Sequence, residues 1–584
     1  NVNDYRIPFD SIIRKNHGAK IVYEFDAADV LKSYMYPAMA RSFRKAGIQL
    51  ATQFAYDPTF MASHNTEYNT HYTNLAYTPT KALSLMIAGK VFHKVPMYKD
   101  FGSYPENQGF GDFSVSYEKN LATYNSEEDF IYTNSNEIEP KNPEALEHLA
   151  GFGDSKIVEY EGKGAYFLDK LKPGVWRLEV MPDAIIVQNP LGKNSPEKTV
   201  AVINWRTWTM KLKLEDLDED FSVTALIEGN SFETTAENGQ FQISPGTYLL
   251  KEKGAEFNEN EDHHLHRIGL REFTAPETTI EKTYVLHEPV QESSADSPLE
   301  LSAEIISSEK ISKVEAWLQN GNDYDSVELN REKGYTFSAE IPKKLLGQGF
   351  LKYRIVASTA EKSYTFPGGT EGNPGQWDFY RDEFYTTRIV PKTSPITLFD
   401  AAQNADHVVE EWRPGNKLVP TGEPGEAEYQ VNLEQLFHED IENKNAEAVY
   451  DYSFRYNFNR RVQGRRKGLQ NKQKLVLKAE SLTEKPVKLQ VALIMKNGAA
   501  FGKIVELHPG MKEYEISLDE LQPVKTVTLP RPYPSFLPYY FEHSHLGEFR
   551  LENAESLQFS IGPGIEQQQL QQPKGIGIVQ VELE

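Results

Sequence analysis

The apolar pattern of this chain changes its period near residue 105. Before that point, short continuous apolar runs alternate with helical spacing. "KIVYEFD" reads as a strand through Ile21, Val22 and Tyr23. "ADVLKSYMYPAMARSFRKAG" follows as a helix with apolar positions at Val30, Tyr34, Met35, Ala38, Met39 and Phe43. Its cations gather toward the C-terminal end, where they suit the helix dipole, and Gly47 stops it. "IQLATQFAYD" is a second strand. "TPTKALSLMIAGKVFHKVP" is a second helix, with Thr78 as N-cap and Pro79 in the first turn. Strand, helix, strand, helix predicts parallel strands joined by crossover helices. Two such units do not close a sheet.

After residue 105 the helical period nearly vanishes. Residues 106–160 are polar and rich in Asn, Glu and Gly, and an irregular connection is expected there. From "GKGAYFLDKLKPGVWRLEVMPDAIIV" to "GTYLLKEKG", short alternating strands and Pro-Gly and Asn-Gly turns predict a β-sandwich over 161–265. "RIGLREFTAPE" links it to an immunoglobulin-like sandwich over 266–393, with Val314, Trp317, Tyr335, Phe337, Tyr353 and Ile355 in its strands. Within it, "FPGGTEGNPGQWDFYRDEF" is an aromatic excursion expected to pack against a neighbour. Residues 394–584 have jelly-roll length and spacing, with strands such as "QKLVLKAES", "VKLQVALIM" and "SLQFSIG".

Composition narrows the function classes. A chain of 584 residues is too long for one core. Lys and Arg number 62 against 85 Asp and Glu, and the net charge of −23 argues against nucleic acid as a partner. No segment approaches the ~20 apolar residues of a membrane span. Cys is absent, which excludes disulfides, thiolate metal sites and a cysteine nucleophile. "NVNDYRIPFD" carries neither a basic nor an apolar leader region, so a signal peptide has been removed or was never present. The 31 Tyr and 31 Phe suit both sandwich cores and surfaces that stack on sugars.

Glu24 closes the first strand at its C-terminal end, where β/α barrels carry their catalytic groups. With the strand-helix order and the sandwiches that follow, the chain resembles the clan of retaining glycoside hydrolases built on β/α barrels, whose glutamate nucleophile ends strand seven. The stretches "KIVYEFDAADV", "YPAMARSFRKAGIQLATQFAYD" and "NTEYNTHYTNLAYTPTKALSLMIAGKVFHKVP" look more closely like a family of exported glycosidase-like proteins from Bacteroidota. That resemblance spans residues 15–100 and, more loosely, the sandwiches, with "LPRPYPSFLPYYF" among their lines. It implies a multidomain fold, the terminal strand-helix units of a TIM-type barrel (1–105) followed by antiparallel β-sandwich and jelly-roll domains. It further implies a polysaccharide or oligosaccharide partner, an exported location (periplasmic, outer-membrane surface or extracellular) and a retaining mechanism with Glu24 as nucleophile. No cofactor is expected beyond a structural calcium in the jelly roll.

Retention needs two carboxyls roughly 5–5.5 Å apart, one attacking and one serving as acid and then base. In that clan the second comes from strand four, which this sequence does not contain ahead of Glu24. The acid/base is therefore expected outside the chain. A missing barrel segment or a partner chain is expected to cover residues 1–105, since bare strand edges and helix faces are rarely tolerated. The other function class is a non-catalytic carbohydrate-binding or surface-assembly protein that keeps a degenerate barrel as scaffold.

The remaining candidates each have a plainer reading. Glu24 also reads as a carboxylate before a helix N-terminus, and Asp26 or Asp29 as its N-cap. Tyr23 and Asp26 flank Glu24 and count with it as sugar-contacting groups. At the end of the second strand Gln53, Tyr56, Asp57, His64, Glu67, His71 and Tyr72 offer hydrogen bonds and stacking, or else form a polar loop with an Asx turn at Asp57-Pro58. The spacing of His64, Glu67 and His71 fits no metal motif. "DHHLHR", with His263, His264 and His266, reads as a solvated linker rather than a metal site. "NRRVQGRRKG", with Arg460, Arg461, Arg465, Arg466 and Lys467, reads as a hairpin tip that keeps an edge soluble, or as a clasp for an acidic polysaccharide. "RPYPSFLPYYFEHSH" offers Tyr533, Phe536, Tyr539, Tyr540 and Phe541. Tyr539 and Tyr540 serve there as a sugar platform, or the run closes the jelly roll.

Overall fold

The computed structural model describes residues 7, 9–27, 31–104, 106–227, 232–258, 264–265, 267–410, 416–436, 451–529, 540–541 and 547–584. Its first unit contains α1 (Asp10–Lys15), β1 (Ile21–Phe25), α2 (Met35–Lys45), β2 (Leu50–Gln53), α3 (Thr59–Ala62) and α4 (Pro79–Lys94). β1 and β2 pair in parallel with α2 as the crossover, as the pattern predicts. Phe25 sets its ring edge-on to Tyr36 and Phe43, at 5.8 and 5.4 Å between centroids, and Leu83, Ile87 and Val91 of α4 complete this core.

Two details differ from expectation. α2 begins at Met35, with Tyr34 in the N-cap position, so Asp26 is not its cap; Asp29 lies outside the described residues. Pro37 explains the late start, because a proline is tolerated in the first turn and breaks the ladder further in. β1 is covered on one face only. Parallel sheets are ordinarily buried on both, yet Ile21, Tyr23 and Leu50 stand exposed on the face opposite the helices.

Residues 106–160, expected as an irregular connection, instead supply strands. Gly109–Phe110, Phe113–Ser116, Leu121–Asn125, Asp129–Tyr132 and His148–Gly151 form half of a ten-stranded sheet that continues through Tyr166–Lys172 and Val175–Val180. The polar residues that masked them sit in the turns: Asn120 and Gly111 adopt positive φ there. Between the turns, Phe110, Phe113, Tyr124 and Ile131 are buried in the same core as α2 and α4. The first unit and this sheet therefore share one interior.

Residues 266–393, expected as an immunoglobulin-like sandwich, have a four-stranded sheet around Leu299–Ile306 and a seven-stranded one around Lys313–Asn320 and Gly349–Ser358. Buried Asp183 joins it to the preceding sandwich. Tyr335 Oη and Trp208 Nε1 each donate to Asp183 Oδ2 at 2.6 Å, and the Lys163 amide donates to Oδ1 at 2.5 Å. Lys163 Nζ pairs with Glu304 at 2.5 Å across the same junction.

Residues 394–584, expected as a jelly roll, form two six-stranded sheets, with Lys474–Ser481 and Lys574–Leu583 in one and Val487–Met495 and Ala554–Ile561 in the other. Phe454 stacks on its cross-strand partner Phe559 at 4.9 Å within the second sheet, and both rings are buried in the core. The basic run is neither a hairpin tip nor an open clasp. It forms a helical turn, Asn459–Val462, and a 3-10 stretch, Gln463–Asn471, wedged between the last two domains. Arg465 is buried there, with Nη1 2.6 Å from Glu292 Oε1 and Nη2 donating to the carbonyls of Lys392 and Ser394. Arg461 donates to the Thr397 carbonyl at 3.0 Å and Arg466 to that of Glu552 at 2.9 Å. Only a glycine fits at 464, where a Cβ would meet the Glu292 carbonyl at 2.3 Å.

His264 is exposed and lies in a two-residue strand paired with Ile268–Gly269; His263 and His266 fall outside the described residues. The jelly roll also reaches back to the ten-stranded sheet, where Tyr117 Oη, in the turn after Phe113–Ser116, donates to the Glu555 carboxylate at 3.2 Å. Among the described residues no helix is long and apolar enough to cross a membrane.

Candidate functional site

The register of β1 against β2 slips at the point of interest. Ile21 faces Leu50 and Val22 faces Ala51, but the next pair is Phe25 with Gln53. Tyr23 and Glu24 thus stand together against Thr52. Such a bulge re-aims side chains, and here it leaves both residues exposed, Tyr23 at 77%. No described residue hydrogen-bonds or ion-pairs with Glu24.

Immediately beyond, a polar network ties the strand ends together. The Tyr36 hydroxyl donates to Asp26 Oδ1, and His71 Nδ1 lies 2.8 Å from Asp26 Oδ2. Tyr36 Oη is also 3.0 Å from Thr73 Oγ1 and accepts from Gln53 Nε2 at 3.2 Å. Burial raises the Asp26 pKa above the ordinary carboxylate value, against the pull of the Tyr36 hydrogen bond, Lys81 and His71. The Tyr36 hydroxyl is held well above the usual phenol range by burial and by Asp26. Lys81 crosses beneath, its Nζ 4.8 Å above the Tyr36 ring and donating to the Ala27 carbonyl at 2.9 Å. The His71 ring stacks on Tyr68 at 5.4 Å, and Phe54 meets both edge-on. The arrangement offers an exposed carboxylate, a His71–Asp26 pair at 2.8 Å and aromatic faces.

Other predicted residues are engaged in holding the loop after β2. Asp57 is buried, accepts from the Thr73 amide at 2.7 Å, and is pushed up to about 6 by desolvation. Tyr56 Oη accepts from the Leu75 amide at 2.8 Å while its ring stays exposed. His64 Nδ1 sits 3.2 Å from the Lys198 carbonyl, and Asn65 and Asn69 donate to the carbonyls of Pro190 and Leu191, docking the loop on the first sandwich. Tyr72 is buried and donates to the Ala62 carbonyl at 2.6 Å. Glu67 is exposed. In the jelly roll, Tyr540 is half-buried and its hydroxyl donates to Asp451 Oδ2 at 2.7 Å; Tyr539 lies outside the described residues.

The structure thus gathers Asp26, Gln53 and His71 at the strand ends beside the bulge and ties Asp57 and His64 into the scaffold. Tyr36, Tyr68, Thr73 and Lys81 were missed by sequence reasoning. Tyr36 and Lys81 sit on helices where they pass for ordinary core and surface positions, and only the fold brings them to the strand ends. Among the described residues no group of three or more His, Asp or Glu converges as a metal ion would require.

No family model matches the chain, and no curated protein does. Solved structures similar in part include the family 11 carbohydrate-binding module of the Clostridium thermocellum cellulosomal cellulase Lic26A-Cel5E. It is 11% identical over 29% of this chain and 79% of that one, with a TM-score of 0.19. An exo-β-agarase is 12% identical over 32% of this chain and 25% of its own, at 0.21. The agarase AgWH50C is 10% identical over 33% and 24%, at 0.19. The chain spans about a quarter of the length of either agarase.

Proposed function

We propose that this chain acts on carbohydrate, with the bulged end of β1 as one wall of a sugar site and Glu24 as the nucleophile of a retaining glycoside hydrolase. The observation that carries the reading is the bulge itself, which presents an unencumbered carboxylate at the C-terminal end of a parallel strand. In this reading the Glu24 carboxylate attacks the anomeric carbon. A second carboxylic acid protonates the departing oxygen and then, as a base, activates the water that releases the sugar. That acid belongs to further strands of the same barrel, on this polypeptide or on a bound chain. The same strands cover the apolar face of Ile21, Tyr23 and Leu50, which a parallel sheet ordinarily buries. Gln53, His71 and Tyr68 line the site, and Asp26 orients His71. The protein is exported and meets its glycan outside the cytoplasm.

The test is covalent labelling with 2-deoxy-2-fluoroglycosides, using protein isolated with any chain bound to it. Mass spectrometry should map the adduct to Glu24, and an adduct on another carboxylate counts against the assignment. One observation favours a second reading, a non-catalytic glycan-binding scaffold: no described residue holds Glu24 in place, whereas a catalytic carboxylate is ordinarily oriented by neighbours. Under that reading glycan is bound, and no fluoroglycoside labels any residue.

A further inference from the structure

Trp377 is 97% exposed, far from the habit of tryptophan, which is among the most buried side chains on average. It is not on a loose tail. The excursion that carries it is a tight hydrogen-bonded loop. The Gly375 amide donates to Asn373 Oδ1, the Asn373 amide to Gln376 Oε1, and the Gln376 amide to the Asn373 carbonyl, all within 3.0 Å. Further along, Arg354 clamps the loop to its own sheet. Its guanidinium lies 3.8 Å above the Phe384 ring and donates to the carbonyls of Arg381 at 2.6 Å and Glu383 at 3.1 Å.

Two more aromatics are presented around that clamp. Tyr380 is 76% exposed, with the Arg381 guanidinium 5.2 Å from its ring centroid. Tyr324 is 75% exposed and faces Gln319, one register pair from Lys352 and two residues from the Trp317–Arg354 pair. Gln376 also lines a cavity of about 430 Å3 with Glu361, Lys362, Ser363, Glu371 and Gly372.

We infer that Trp377, with Tyr380 beside it and the polar cavity at Gln376, forms a second glycan-binding site, for neutral pyranose rings, on the immunoglobulin-like domain. The chemistry favours a sugar over an apolar partner. Charged residues (Asp378, Arg381, Asp382 and Glu383) are interspersed among the rings, and Phe379 lies under the Arg354 guanidinium, so the surface is not one apolar patch. The cavity offers both acceptors and donors, as a ring bearing several hydroxyls requires, and its volume suits a small ligand. A pyranose presents an apolar face of C–H groups to an indole and its hydroxyls to the rim. The ligand class rests on the carbohydrate reading above, but the site uses none of the residues around Glu24. It would hold a polysaccharide strand while another part of that strand is bound elsewhere on the protein, and two sites on one chain raise avidity without a new contact at either.

The experiment is affinity gel electrophoresis of the full chain against mixed-linkage β-glucan, xyloglucan, galactomannan and pullulan, comparing wild type with Trp377→Ala, Trp377→Phe and Glu24→Gln. Wild type should be retarded by at least one of these. Trp377→Ala should weaken that affinity by about tenfold, Trp377→Phe should restore most of it, and circular dichroism should stay unchanged because the ring is solvated. Retardation that survives in Trp377→Ala and is lost in Glu24→Gln overturns this site and leaves the strand-end site standing. Retardation lost only in Trp377→Ala supports this site even where fluoroglycosides label nothing. No retardation of wild type by any of the four overturns it. So does sedimentation showing that Trp377→Ala abolishes self-association, which would make the ring a contact between copies.

Discussion

The guanidinium of Arg465 lies 2.6 Å from the carboxylate of Glu292, both largely buried, and with its two carbonyl contacts it joins the jelly roll to the immunoglobulin-like domain. Removing Arg465 leaves the Glu292 carboxylate, among the described residues, with only the exposed Arg388 guanidinium, 3.4 Å away. Arg465→Met should destabilise the protein by about 3 kcal/mol, read as a lower denaturant midpoint for these two domains. The double variant Arg465→Met/Glu292→Met should recover most of the loss. An unchanged midpoint in the single variant would show that the junction is held by other contacts.

Asp183 supplies a graded pair. Tyr335→Phe removes one of its three donors and should cost about 1–3 kcal/mol. Asp183→Asn should cost more, because an amide in either orientation sets its NH2 against an N–H or O–H that donates to the carboxylate. Thermal melts that reverse this order would contradict the geometry.

Asp57 predicts a pH dependence with a definite sign. Desolvation raises its pKa to about 6, so the folded state holds the proton more tightly than the unfolded chain. Its contribution is fully present below the unfolded value near 3.8 and is lost as pH rises through about 6. Relative to Asp57→Asn, wild type should lose on the order of 2–3 kcal/mol across that interval and stay level above it. Urea unfolding at several pH values checks this, and a wild type that gains stability relative to the variant as pH rises would refute it.

Glu24→Gln separates chemistry from scaffold. The side chain is exposed, so stability should change by less than about 0.5 kcal/mol. Turnover of any glycan substrate should fall by a factor of about 10^3 or more if Glu24 is the nucleophile. Full activity in the variant would end that assignment.

How much of this was legible in the sequence depended on how local its cause was. The strand-helix order, Pro79 at the start of α4, and the jelly-roll strands at Lys474–Ser481 and Val487–Met495 follow from periodicity and were readable. The strands between Gly109 and Gly151 were not, because their turns are rich in polar residues and their apolar residues come in twos and threes. Glu24 was legible as a strand-end acid, but the bulge that exposes it depends on pairing with Thr52 and leaves no trace in either segment. His64 and Asp57 carry the residue types of a binding site, yet their partners, Lys198 and Thr73, are set by docking and loop closure. Arg465 looked like a surface charge because Glu292 lies 173 residues away.

The Tyr117–Glu555 hydrogen bond makes the modules a circuit in space although they are a line in sequence. A pull on the last domain, such as a tethered polymer would exert, reaches the ten-stranded sheet by two routes. One runs through the Arg465 and Asp183 junctions in turn, and the other passes directly across Tyr117. Cutting either route alone leaves the ends connected, so slack appears between the outermost modules only when both are broken.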